Sequence, residues 1–169
     1  GVEYVITANG GAVYSVREGK RVYQCLLEKE SVESAIAVRK RENMVLEVVI
    51  DGVPYAEEAY VKDPMQYLAT EYGAKYIKAT RKPVKDICRF AQKHAEELDS
   101  ISFVCRYEDK ERLYTSLDKE IPNIYVTSSV PNLMEVGHID AGKGKTLLWL
   151  LKKLEISTEE AMAFGDADN

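Results

Sequence analysis

The chain has 169 residues, of which 46% are hydrophobic and 30% charged, and its formal net charge is −5. This length allows one well-formed core, or a compact domain with part of a second. The acidic balance argues against a nucleic-acid-binding protein. Three cysteines and two histidines show neither a disulfide framework nor a zinc-binding spacing. No stretch has the pattern of a signal peptide or a membrane span, so we expect a cytoplasmic protein that contacts no membrane.

The first third of the chain predicts two hairpins and one helix. Short β-rich runs at 4–7 and 12–16 flank a glycine turn at 8–11. Residues 28–42 carry apolar side chains at helical spacing. Residues 46–50 and 53–55 flank the dipeptide Asp51-Gly52, which favours a type I′ turn and therefore predicts the second hairpin.

The middle of the chain predicts alternating helices and strands. Pro64 suits the first turn of a short helix that Gly73 would end. The elements that follow are a helix at 84–98, a strand at 101–105, a helix at 109–121 and a strand at 124–127. Together, residues 21–127 predict an α/β sandwich with an open, largely antiparallel sheet and helices on one face.

The closing stretch combines a lysine with an acidic terminus. Lys143 lies in a glycine-flanked turn before an apolar helix at 146–154, and a short strand is predicted at 161–164. The sequence then reads Gly165-Asp166-Ala167-Asp168-Asn169. Ligands gather at the carboxyl ends of parallel strands. A lysine plus carboxylates at such a strand end is what a Mg²⁺-dependent phosphoryl-transfer site requires.

Two known families have comparable lysine turns, and the first is a P-loop. Residues 137–143 resemble the phosphate-binding loop of the translational elongation-factor GTPases. That loop needs Ser or Thr after its lysine to bind Mg²⁺, and this chain has Gly144. Shifting the frame to Thr146 places Ile139 where the first glycine belongs. A P-loop GTPase-like nucleotide binder is therefore a remote alternative.

The second resemblance covers nearly the whole chain. The turn Asn9-Gly10-Gly11, the Gly142-Lys143-Gly144 helix start and the terminal Gly165-Asp166 motif occur in the order seen in the haloacid dehalogenase superfamily. The chain resembles in particular its Cof-type sugar-phosphate phosphatases. The resemblance implies a core segment at 1–20, an α/β cap domain at 21–127 that sets substrate specificity, and a partial Rossmann-like core at 128–169.

The same resemblance implies roles for individual residues. Lys143 would hold a phosphate oxygen and the nucleophile carboxylate, and Asp166 would help to bind Mg²⁺. Asn169 would make a polar contact near the phosphate, and Asn9 would contact the substrate. The implied substrate is a small phosphorylated metabolite, in particular a sugar phosphate, hydrolysed through an aspartyl-phosphate intermediate.

The nucleophile of that mechanism is not found in this chain. The family uses an early Asp-x-Asp pair, whereas the Asp-x-Asp of this sequence is Asp166-Ala167-Asp168. We therefore expect the chain to be an internal fragment of a phosphatase, inactive alone. A non-catalytic α/β binding or interaction module is the alternative from a different class, and the oligomeric state stays open.

Overall fold

The computed structural model describes residues 1–165, which begin with a small three-stranded sheet. Its antiparallel strands are β1 (Tyr4–Thr7), β2 (Ala12–Ser15) and β3 (Lys20–Gln24), in the order β1-β2-β3. The predicted hairpin is therefore confirmed. Its sheet continues to Gln24, four residues past the expected end of the first segment.

A second sheet of six strands forms the centre of the structure. Its strands are β4 (Val45–Ile50), β5 (Val53–Glu57), β6 (Lys82–Val84), β7 (Leu98–Val104), β8 (Ile124–Thr127) and β9 (Leu133–His138). They are ordered β6-β5-β4-β7-β9-β8, and only the β5–β6 pair is parallel. The predicted turn joins β4 to β5, with positive φ at Asp51 (48°) and Gly52 (72°), as a type I′ turn requires.

One face of this sheet carries the main hydrophobic core. Helices α1 (Lys29–Glu42), α4 (Ile87–Lys93) and α5 (Lys110–Glu120) contribute to the same buried cluster as the inward side chains of the strands. The largest fully buried side chains of this core include Phe103, Leu46, Ile87, Leu98, Ile101, Leu117 and Met134. The predicted α/β class with a largely antiparallel sheet is confirmed.

The opposite face is covered only in part. Helices α2 (Glu58–Lys62) and α3 (Glu71–Thr80) contribute Tyr60 and Ile77 to a smaller cluster with Ala56 and Val104. Val104 follows Phe103 of the main core, so the two side chains point to opposite faces of β7. Helices α2 and α3 cover only one end of this face. The rest of the face is directed towards the small sheet and helix α6 (Lys143–Lys153).

A buried ion pair joins the two sheets. Arg21 of β3 lies 2.9 Å from Asp99 of β7, whose side chain is fully buried and also accepts a 2.8 Å hydrogen bond from the backbone N–H of Gly52. Burial raises the pKa of Asp99 although both partners act to lower it. The small sheet is therefore fixed against the turn between β4 and β5.

Three element predictions need correction. Residues 64–73 form a 3₁₀ turn at Pro64–Tyr67, and α3 starts only at Glu71, because the side chain of Thr70 caps the N–H of Gly73. The helix predicted at 84–98 ends at Lys93, because Leu98 already pairs in β7. Residues 161–164 form no strand within the described chain, and Phe164 is 90% exposed there.

Strand β9 lies within the segment 128–169 and pairs with β7 and β8 inside the six-stranded sheet. Its partner β8 directly precedes it in sequence, whereas its partner β7 precedes both α5 and β8, so local pattern could not predict the β7–β9 pairing. The division at 1–20, 21–127 and 128–169 stays a prediction, with the sheet extending to His138.

Candidate functional site

The turn between β1 and β2 has an unusual backbone. Ala8, Asn9 and Gly10 have φ values of 49°, 50° and 105°, all in the left-handed region. Asn tolerates this conformation and Gly adopts it freely, whereas Ala rarely does. Such strain persists only where the surroundings hold it, which marks residues 8–10 as a functional candidate.

The lysine turn packs directly against this turn. A Cβ on Gly10 would lie 2.4 Å from the carbonyl carbon of Gly142, so only glycine allows the approach. The hydroxyl of the buried Thr146 donates a 2.6 Å hydrogen bond to the carbonyl oxygen of Gly10. Lys143 is the first residue of α6 and is exposed. The structure therefore brings two predicted site residues, Asn9 and Lys143, to neighbouring turns.

This arrangement also bears on the P-loop alternative. The shifted frame needs the Thr146 hydroxyl as a Mg²⁺ ligand. That hydroxyl is buried and already donates to Gly10, so it binds the neighbouring turn. The N-terminus of α6 nevertheless presents backbone N–H groups next to Lys143, and helix N-termini attract phosphate groups.

A row of polar side chains crosses the open face of the six-stranded sheet. The register aligns Glu47 of β4, Ser102 of β7, Glu135 of β9 and Thr127 of β8. Facing residues on adjacent strands share one side of a sheet, so the row lies opposite the main core. Polar groups seldom line up on a buried sheet unless they bind one another or a ligand.

Glu135 connects this row to the strained turn. The side-chain amide of Asn9 donates a 3.3 Å hydrogen bond to Oε1 of Glu135. The hydroxyl of Tyr125 donates a 3.1 Å hydrogen bond to the backbone oxygen of Asn9. The Tyr125 ring lies over Gly137, where a Cβ would come within 2.7 Å of it. The side chains of Glu135 and Tyr125 therefore hold the turn against the six-stranded sheet.

A cavity of about 500 Å³ lies on the open face between Glu135 and helix α3. Its charged lining residues are Glu47, Arg81 and Glu135, and its apolar wall includes Ile77 and Leu133. The guanidinium of Arg81 binds the Glu47 carboxylate at 2.8 Å, with both side chains largely buried. Three tyrosines, Tyr60, Tyr72 and Tyr76, complete the wall. The volume suits a small organic ligand.

Burial shifts the pKa values of the tyrosines around the site. Desolvation raises the pKa of Tyr125 to about 12, and the nearby charge of Glu135 adds to the shift. Desolvation also raises the pKa of Tyr60 far above its ordinary value, with a further contribution from Glu47. Both phenols therefore stay protonated at neutral pH and can donate hydrogen bonds.

A larger cavity of about 610 Å³ lies between the C-terminal end of α1 and the N-terminal end of α5. Its arginines include Arg39 and Arg112, which bind Glu57 and Glu42 respectively at 2.8 Å. Among the described residues, neither cavity is lined by a residue of the glycine turns, but Glu135 of the 500 Å³ cavity binds Asn9, and no lining residue of this larger cavity has such a hydrogen bond. Its size alone therefore gives no reason to place the chemistry there.

The predicted metal residue Asp166 and the predicted catalytic residue Asn169 lie outside the described residues. Within residues 1–165, no group of three Asp, Glu, His or Cys side chains could hold a metal ion. Sequence patterns did not identify Tyr125 or Arg81, nor a role for Glu135. The available signal was a carboxylate in the middle of an apolar strand, as at Glu47 and Glu135.

Comparisons of the sequence and of the fold with known proteins agree on one family. The sequence model of the haloacid dehalogenase-like hydrolases matches residues 1–169. The chain is 24% identical over 167 residues to the HMP-PP phosphatase of Klebsiella pneumoniae (strain 342), covering 98% of this chain. It spans 57% of that relative's length. In the described part of the chain, no helix has the length and apolar character that a membrane crossing requires.

Solved structures with a similar fold include haloacid dehalogenase-like proteins. A haloacid dehalogenase-like hydrolase from Bacteroides thetaiotaomicron has a TM-score of 0.76 and 19% identity, covering 96% of this chain and 58% of that one. A sugar phosphatase of HAD subclass IIB has a TM-score of 0.71 and 14% identity, covering 94% and 55%. At these identities the likeness establishes the fold.

Proposed function

The chain belongs to the haloacid dehalogenase-like hydrolase family, and we propose that the protein is a phosphatase of small phosphorylated metabolites that acts through an aspartyl-phosphate intermediate. Sugar phosphates are the first substrate class to test, since one similar structure is that of a sugar phosphatase. The observation that carries the proposal is the close packing of Gly10 on Gly142, which brings Asn9, Lys143 and the open sheet face together.

Each residue in this proposal has a defined task. The ammonium group of Lys143, at the N-terminus of α6, binds a phosphate oxygen and stabilises the charge that develops during transfer. Asn9 contacts the substrate, and its hydrogen bond to Glu135 fixes its position. Asn169 is assigned a polar contact near the phosphate.

We further propose Mg²⁺ as the cofactor, with Asp166 as its ligand from this chain. Mg²⁺ prefers carboxylate oxygens and, when bound, neutralises charge on the phosphoryl group. No residue among the described ones is assigned to the metal. Because the only Asp-x-Asp of the sequence contains Asp166, the nucleophile is not assigned within this chain, and the chain alone is expected to show no turnover.

The test replaces Lys143 in the full-length protein that contains this chain. Lys143→Ala should lower kcat/KM for p-nitrophenyl phosphate by about 100-fold or more, because a charge-stabilising donor is lost. Lys145→Ala is the matched control. Lys145 lies two residues further along α6, where its ammonium group donates to the backbone oxygen of Ile139, and its loss should change kcat/KM little. Equal losses in the two variants would contradict the assignment.

A further inference from the structure

The cavity on the open face has an unbalanced charge. Glu47 and Arg81 neutralise each other through contacts of 2.8, 3.1 and 3.2 Å. Glu135 lines the same cavity, and none of the ion pairs in the described structure includes it. The cavity therefore carries one uncompensated carboxylate, on the side that meets the strained turn.

The hydrogen bonds of Glu135 are also incomplete. Its Oε1 accepts from a neutral amide, that of Asn9, at 3.3 Å. Its Oε2 is buried and has no hydrogen-bond partner in the described part of the chain. A buried carboxylate oxygen without a donor costs free energy, so such an oxygen is a candidate to be satisfied by a ligand.

The neighbours of Glu135 do not supply the missing donor. The Tyr125 hydroxyl already donates to the backbone oxygen of Asn9. Arg81 is held by Glu47 and also stacks on Tyr76, with 4.9 Å from its guanidinium carbon to the ring centre. Because Glu135 lines the cavity, a ligand that enters the cavity can supply the donor that Oε2 lacks among the described residues.

We propose that Glu135 is a specificity-determining residue that binds an amino group on the leaving group of the substrate. A protonated amine fits better than a hydroxyl, because it supplies both the donor and the missing positive charge. Asn9 is a positioning residue that fixes the carboxylate through Oε1. The leaving group occupies the cavity of about 500 Å³, and the phosphate faces the Lys143 turn. This inference rests on the proposed phosphatase function.

The experiment compares matched substrates that differ by one amino group. The full-length protein is assayed with glucosamine 6-phosphate against glucose 6-phosphate, and with O-phosphoethanolamine against 2-hydroxyethyl phosphate. We expect kcat/KM to favour the amine about tenfold in at least one pair, as a charge-assisted hydrogen bond provides. Glu135→Gln should remove the preference, mainly through KM. Ser129→Ala, which alters an uncharged residue of the same cavity, should keep it.

A binding measurement makes the two proposals separable. NMR titration of the full-length protein with glucosamine, glucose and ethanolamine reports on the cavity without any turnover. Absence of hydrolysis of every phosphate, p-nitrophenyl phosphate included, would contradict the phosphatase function, and the titration alone would then decide the role of Glu135. An amine preference below about threefold in kinetics and binding alike, or one that Glu135→Gln leaves intact, overturns the role of Glu135.

Discussion

The side-chain amide of Asn9 donates a hydrogen bond of 3.3 Å to Glu135, a residue 126 positions away in the sequence. The bond joins the left-handed turn before β2 to the open face of β9. Gly10, next to Asn9, packs on Gly142, next to Lys143. The open face of the six-stranded sheet and the N-terminus of α6 are therefore connected through two consecutive residues of one turn.

Asn9→Asp tests this connection by placing two carboxylates side by side. At pH 7 we expect a loss of about 1–3 kcal/mol in the free energy of unfolding, from repulsion and from the lost donor. Urea unfolding at pH 7 measures it. Asn9→Gly keeps the left-handed backbone and adds no charge, so it should show a smaller loss. Equal losses in the two variants would contradict the contact.

Local sequence signals predicted the turns well. Asp51-Gly52 specifies its hairpin through the positive φ values that both residues adopt. The glycines around Lys143 predicted a turn, and Gly142 indeed has a φ of 157° before α6 begins. These features depend on a few adjacent residues, so a single sequence contains the information needed to predict them.

Long-range pairing was not predictable in the same way. A charged residue in an apolar strand, such as Glu47 or Glu135, is compatible with a solvent face as well as with a buried site. Only the register of β4, β7, β9 and β8 aligns the two carboxylates on one face. The partner of Glu47, Arg81, lies at the end of α3 and is 34 residues away. Such contacts arise from topology, which no local periodicity encodes.

Gly10→Ala tests the close approach of the two turns. The new Cβ would meet backbone atoms of Gly142 at 2.4–2.6 Å, and φ at this position is 105°. Backbone cannot move aside as a flexible side chain can, so we expect a loss of about 2–4 kcal/mol in the free energy of unfolding. Thermal and urea unfolding would measure it.

Gly144→Ala is the control for that substitution. Gly144 lies within α6, and a Cβ added to it would meet no atom within 4 Å. Alanine favours the helix over glycine, so stability should stay unchanged or rise by up to about 1 kcal/mol. A comparable destabilisation in both variants would show that the contact between Gly10 and Gly142 is not the cause.

Tyr125 predicts a specific loss of stability at alkaline pH. Its pKa is raised to about 12 by burial and by the charge of Glu135. When a group has a higher pKa in the folded state than in the unfolded state, its contribution to stability is fully present below the unfolded-state pKa, which is near 10 for tyrosine. That contribution is lost as the pH rises to the folded-state pKa. Up to about 2–3 kcal/mol should therefore disappear between pH 10 and 12.

Tyr125→Phe isolates this contribution from the other tyrosines. At pH 8 the variant should be less stable by about 1 kcal/mol, because the hydrogen bond to the Asn9 backbone oxygen is lost. Between pH 10 and 12 its stability should fall less steeply than that of the wild type. Urea unfolding across this range measures both slopes, and parallel curves would argue against the buried phenol.

The Glu47–Arg81 pair predicts strong coupling in a double-mutant cycle. Their side chains are only 4% and 13% exposed, and the distance is 2.8 Å. Glu47→Met or Arg81→Met alone should cost about 3–5 kcal/mol, since each leaves a buried charge without its partner. The double variant should cost much less than the sum.

The comparison pair is Arg41–Glu120, which is 2.6 Å apart but 50% and 41% exposed. Its coupling should be far smaller and should weaken further with added salt, whereas that of Glu47 and Arg81 should persist. Equal coupling in the two cycles would contradict the burial of the Glu47–Arg81 pair on the open face of the sheet.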